Sequence, residues 1–188
     1  MVSDTKDIPN ADEIKNEFEK VKDLARTYKA AEIKDGSWFV KFVFHILETY
    51  AKEVNADYFR RKYPGLPADA LVDRRMDLAA RYAGIGGGVS AAGYTGLVAA
   101  TIGTGGGASP LTLPAGAVAF FADVLWTLRL QLHLAYDLAI LYKHPIDFND
   151  PEDLCELFNV AFGVKSGEIF REGMEKLGPE AVRLGVKA

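Results

Sequence analysis

Arg129, His133 and Asp137 stand at i, i+4 and i+8 in a segment that is otherwise rich in leucine, with Trp126 on the same side. If the segment is helical, that spacing stacks the three side chains along one face. The guanidinium would then lie near the imidazole. The imidazole would donate to the carboxylate, which can raise the histidine pKa or fix its tautomer. Two readings follow. One is a polar site inside an apolar bundle, binding an anionic head group or transferring a proton. The other is an interhelical network partnered by residues such as Arg74, Arg75 or Arg81. The second is preferred, because the other two histidines lie elsewhere and no nucleophile with an adjacent base is evident.

Asp123 joins the candidate ligand-binding set of Trp126, Arg129, His133 and Asp137. It is a lone acid closing an uncharged stretch, either exposed or buried against a partner such as Arg129. His45 sits in an apolar run and is expected in the core. His144, before Pro145, is expected at a helix C-terminus, where the dipole favours it. Cys155 lies near a helix start with no base in view and is read as a small core residue. As the single cysteine it allows neither an intramolecular disulfide nor a thiolate zinc cluster. Gly86-x-Gly88-x-x-Ala91 matches a dinucleotide fingerprint in form only. No strand precedes it and no acid follows about 20 residues on. No catalytic residue, metal or cofactor is expected.

The elements that would position these residues are helices. Residues 1–10 read as a leader, and Asn10 or Asp12 caps a helix starting near Ala11. Ile14, Phe18, Val21, Leu24, Ala25 and Tyr28 recur at spacings of three and four, giving one apolar face down to about Lys34–Gly36. Ser37 caps a long helical pattern over Trp38–Tyr63, whose first turns are apolar nearly all round. Pro64-Gly65-Leu66-Pro67 stops it. A third helix starts at Ala68 and meets no breaker before the glycines. Gly103–Leu113 is a turn, and Pro114 opens a bulky apolar helix to about Tyr142. Asp150 and Pro151 then cap and start a helix whose face is Leu154, Leu157, Phe158, Ala161 and Phe162. Further helices are expected over 166–177 and 180–187. No strand alternation of useful length occurs. The expected class is all-α, a bundle around a Gly/Ala-rich helical hairpin of about 68–102 and 115–142. One helical domain is expected over 11–188, made of an arm (11–66), a core (67–165) and C-terminal helices (166–188).

Gly84, Gly88, Ala92, Gly96 and Ala100 recur every fourth position of the hairpin's first arm. Six glycines between Gly84 and Gly96 cost roughly 3–6 kcal/mol of helix stability relative to alanine. The compensation such a face offers is close approach of a second helix. A membrane span fits in length. In composition it does not, because Ile85, Val89, Leu97, Val98 and Ile102 supply only roughly -1.5 to -3 kcal/mol of insertion free energy. On the second arm Asp123 and Arg129 would each cost about 2.5–3.5 kcal/mol near a helix centre. A buried hairpin is therefore preferred to an inserted one.

At 188 residues, with 49% hydrophobic and 26% charged residues, the chain can build a sizeable core. A formal net charge of -4 argues against a nucleic-acid partner. Met1–Asn10 has no basic region followed by an apolar one, so a cytoplasmic location, peripheral to the membrane at most, is the default.

The middle of the chain is similar to the EcsC family over roughly residues 70–165. The likeness rests on the run from Arg81 through the glycines, Leu113-Pro114, Asp123, the helix ending Ala139-Ile140-Leu141-Tyr142, and Ile146-Asp147-Phe148-Asn149-Asp150-Pro151-Glu152-Asp153-Leu154. The family's second Gly-rich segment is absent and residues 11–63 have no counterpart. The resemblance implies a bacterial protein linked to transport or secretion, with no catalytic residues to carry over. The expected function is a non-enzymatic helical module engaging a membrane surface, a lipid-like ligand or a partner protein. The alternatives are a small-molecule or catalytic site at Arg129, His133 and Asp137, and a self-assembling structural protein, a homo-oligomer joined through the small-residue face.

Overall fold

A computed structural model describes residues 10–28, 37–103, 115–163 and 171, with the backbone alone at 37, 87–103 and 115–120. Among the described residues there are six helices and no strand: α1 (Ala11–Thr27), α2 (Ser37–Glu53), α3 (Ala56–Lys62), α4 (Ala68–Gly103), α5 (Ala115–Leu141) and α6 (Pro151–Phe162). The protein is an all-α helical bundle. The expected helices beyond 163 and the leader before Asn10 lie outside the described residues.

The chain divides into two compact units. One comprises residues 1–28 and 80–128, the other residues 29–79 and 129–188. Long helices α4 and α5 contribute to both.

In the first unit, α1 begins where the sequence places it. Asn10 accepts from the Glu13 backbone N–H at 2.8 Å, and the Glu13 carboxylate accepts from the Asn10 N–H at 3.0 Å, a reciprocal capping box. Ile14, Phe18, Val21 and Ala25 are buried, and the opposite face is laced with exposed pairs such as Lys22–Glu19. The helix ends at Thr27, earlier than the expected Lys34–Gly36, because Tyr28 takes an extended backbone.

In the second unit, the expected single helix over Trp38–Tyr63 is two. Asn55 interrupts it in an extended conformation, and its side chain accepts from the Tyr58 N–H at 2.9 Å, capping α3. An asparagine in a helical pattern competes for the backbone this way, and here it wins. On α2, Val40, Phe42, Val43, Phe44, Ile46 and Leu47 are buried, while Lys41 and His45 are exposed. His45 is thus a surface residue and not the expected core histidine. Its i+4 relation to Lys41 puts both on the single polar stripe of an otherwise apolar turn.

α4 runs unbroken through the glycines, as the missing breaker predicts. α6 starts with Asp150 accepting from the Glu152 N–H at 2.9 Å and Pro151 in the first turn. Its buried Leu154, Cys155, Leu157 and Phe158 join Val40, Val43, Phe44, Leu47, Leu132, Ala135 and Tyr136 in one cluster. Cys155 is therefore the small core residue expected. A second cluster holds Val54, Phe59, Tyr63 and Leu71.

Candidate functional site

Asp137 is the one strongly buried acid among the described residues, 1% exposed, on the inner side of α5. The apolar cluster around it would make a lone carboxylate untenable. Its partners come from two other helices. Arg75 on α4 donates from Nε to Oδ2 at 2.6 Å. Tyr50 on α2 donates its hydroxyl to the same carboxylate, at 2.9 Å from Oδ1 and 3.1 Å from Oδ2. Arg75 also donates from Nη2 to the Tyr50 Oη at 2.6 Å, closing the set. Arg75 Nε and the Tyr50 hydroxyl are thereby directed at the carboxylate, with the guanidinium as its counter-charge.

His133, one turn before Asp137, stacks its ring on Tyr50 with centroids 3.7 Å apart and planes 7° from parallel. Tyr136 meets Tyr50 edge-on at 6.0 Å. The Arg75 guanidinium lies over Phe59 at 5.9 Å.

The electrostatics follow from this packing. Burial, then the charge of Asp137, pushes the Tyr50 hydroxyl well above its ordinary value. Burial raises Asp137 against the opposing pull of Arg75 and Tyr50. Burial works to lower Arg75, but Asp137 and Tyr50 outweigh it and hold the cation firmly. Burial, then Arg129 and Arg75, lowers His133 well below the usual histidine range. A general acid or base works best with a pKa near the operating pH. The shifts of Tyr50 and His133 both run away from neutrality.

Of the expected Arg129–His133–Asp137 series, the first two lie within electrostatic range of one another. Asp137 turns to Tyr50 and Arg75 in place of the imidazole, and His133 is lowered where a neighbouring carboxylate was expected to raise it. Arg75 was among the three arginines expected as network partners. Tyr50 was missed, because an aromatic in an apolar run reads as core, and its hydroxyl shows no periodic signal.

Trp126 and Asp123 fall in the first unit. Trp126 is buried, edge-on to Phe18 at 5.5 Å and tilted against Tyr82 at 6.1 Å. Asp123 is half-buried, and its carbonyl accepts from the Thr127 hydroxyl at 3.1 Å. Gly86, which is outside the expected small-residue row, lies tight against another helix: a Cβ there would stand 2.8 Å from Cδ1 of Trp126. Gly84 itself is exposed, with nothing within 4 Å of where its Cβ would be. Side chains at Gly88, Ala92, Gly96 and Ala100 lie outside those described. Gly86 is mid-helix with no strand before it, so the dinucleotide reading has no structural footing.

A second feature of the unit containing Asp137 is a groove of about 430 Å³. Phe59, Tyr63, Leu66, Leu71, Ile140 and Leu141 give it an apolar lining, and Arg60 and Lys143 are the cations among its walls. Leu66 remains 44% exposed. The rim at Lys143 is the C-cap of α5. The Lys143 N–H donates to the Ile140 carbonyl at 3.1 Å and the His144 N–H to the Ala139 carbonyl at 2.8 Å, a Schellman pair. His144 is thus at the helix end as expected, and its ring pairs with Glu156 at 3.3 Å.

No group of His, Cys, Asp and Glu among the described residues is arranged to hold a metal ion. None of the described helices is long and apolar enough to cross a membrane. No protein-family model, curated protein or solved structure matches the chain.

Proposed function

We propose that this chain is a non-enzymatic helical module that takes a lipid-like ligand in the groove lined by Phe59, Tyr63, Leu71, Ile140 and Leu141. The groove itself is the observation that carries this reading. Its volume of about 430 Å³ falls within the roughly 300–1,000 Å³ of small-molecule sites. Its wall is apolar, and an exposed leucine, Leu66, stands at the edge where a chain would enter. Each methylene it covers contributes about 0.8 kcal/mol, so a single acyl chain supplies enough for measurable affinity. An EcsC-like core over residues 70–165 would suit a role accessory to transport or secretion, and would bring no catalytic group.

The test is binding of an environment-sensitive fluorescent fatty-acyl probe to the full chain. Ala68 lines the groove and is only partly buried, so Ala68→Trp fills the space without cutting into the core. The wild type should bind the probe saturably, and Ala68→Trp should weaken binding at least about tenfold, the loss of roughly two methylenes of contact. Absence of saturable binding, or equal binding by Ala68→Trp, refutes the groove.

A further inference from the structure

Resting on that groove reading, we infer that the ligand is a single-chain amphiphile with an anionic head, held at the rim by Lys143 and Arg60. The charged residues among the groove's walls are these two cations, with no acid between them. This stands out in a chain whose formal net charge is -4. Two acids that adjoin lining residues in the sequence, Asp57 and Asp69, are engaged. Asp69 accepts from the Tyr142 hydroxyl at 2.9 Å, and Asp57 pairs with Arg60. That Asp57–Arg60 pair is an i,i+3 pair with both side chains largely exposed (68% and 74%), a class of interaction weak enough to exchange for a better-placed anion. Among the described residues Lys143 has no ion-pair partner.

Lys143 supplies the second observation. It is the one non-glycine residue at positive φ among those described, φ 61, at the C′ position of the α5 cap. Glycine is the usual residue there because a Cβ is strained in the left-handed region. A lysine that bears this strain gives the fold nothing a glycine would not give better. What it adds is an ammonium at the mouth of an apolar groove. Arg61 and Lys62 follow Arg60 directly in the sequence and add to the positive charge of α3. The apolar walls take the tail, and the two cations take the head.

Calorimetric titration of the full chain with dodecanoate, dodecyl phosphate and dodecanol separates the possibilities. Dodecanoate or dodecyl phosphate should bind about tenfold tighter than dodecanol, and Lys143→Gly and Arg60→Gln should each remove a large part of that preference. A preference between the two anions then distinguishes a carboxylate ligand from a phosphate-headed one. Lys143→Gly should at the same time raise the melting temperature. Weaker binding in a more stable protein is a combination that structural damage does not produce. If dodecanol binds as tightly as the anions, or if both variants bind anions like the wild type, the head-group inference is overturned while the groove reading stands. If no amphiphile binds, both are overturned.

Discussion

Asp137→Ala is the perturbation that most directly tests the buried network. The carboxylate is 1% exposed and its partner guanidinium 13% exposed, so screening by water is slight for both. Removing the acid leaves Arg75 buried with only the Tyr50 oxygen as a polar contact. Breaking a buried pair from one side costs about 3–5 kcal/mol, a large part of the roughly 5–15 kcal/mol by which domains are stable. With a urea slope of about 2 kcal/mol per molar, the midpoint should fall by about 2 M. Urea titration followed by circular dichroism is the assay. Tyr50→Phe removes one donor to the carboxylate and one acceptor for Arg75, and should cost about 1–3 kcal/mol. The double variant Arg75→Met with Asp137→Leu should be less destabilised than Asp137→Ala alone, since no charge is left stranded. An Asp137→Ala loss under about 1 kcal/mol, or single losses that simply add in the double variant, would refute the network as the organiser of this core.

His133 provides a pH test. Its folded pKa is depressed by burial and by Arg129 and Arg75, so folding favours the neutral ring. The stabilisation is therefore complete above the unfolded value of about 6.5 and is lost as pH falls from there toward the folded value, at about 1.4 kcal/mol per pH unit. Against His133→Phe, which keeps a ring on Tyr50, the wild type should lose about 1 kcal/mol more between pH 6.5 and 5.5, and parallel curves would contradict the assignment. In the other unit, Gly86→Ala and Gly84→Ala gain the same helix propensity but differ in space. Gly84→Ala should stabilise by up to about 1 kcal/mol. Gly86→Ala must displace the Trp126 indole and should fall about 1–3 kcal/mol below it, and equal effects in thermal melts would remove the close approach.

The helices were legible because their signals are local. Asn10 with Glu13, and Asp150 with Pro151, mark starts that the backbone needs and that the structure contains. The break at Asn55 was not read, although the same chemistry announces it: a polar side chain able to cap, three residues before Tyr58. The surrounding apolar and basic pattern outweighed it. His45 illustrates the limit of composition. Its neighbours are buried, but its own position relative to Lys41 decides its exposure. For the site, Asp137 was legible as an acid in an apolar helix and Arg75 as one of three arginines on the facing one. Which arginine it takes depends on rotation about α4. Arg75 points to Asp137, Arg74 lies over the Tyr63 ring at 5.0 Å, and Arg81 is exposed. The groove left no sequence signal, since its lining comes from α3, the Pro64–Pro67 loop, the start of α4 and the end of α5.

Tyr50, Arg75 and Asp137 do a job that apolar contacts in this unit cannot. Within residues 129–141, leucines, alanines and aromatics lie on every side of α5, so burial alone gives the helix no preferred rotation. A single buried acid that must meet Arg75 and Tyr50 favours one rotation, because any other that keeps it inside leaves a charge in an apolar cluster, and one that turns it outward strands Arg75. The set therefore contributes specificity more than net stability, as a buried polar residue does when it fixes register in a coiled coil. The double variant Arg75→Met with Asp137→Leu separates the two quantities. Its urea midpoint should approach that of the wild type, while its near-ultraviolet circular dichroism weakens and its amide resonances lose dispersion as α5 samples several rotations. A double variant with wild-type spectra would show that shape packing alone specifies the register, and that the buried charges are dispensable to it.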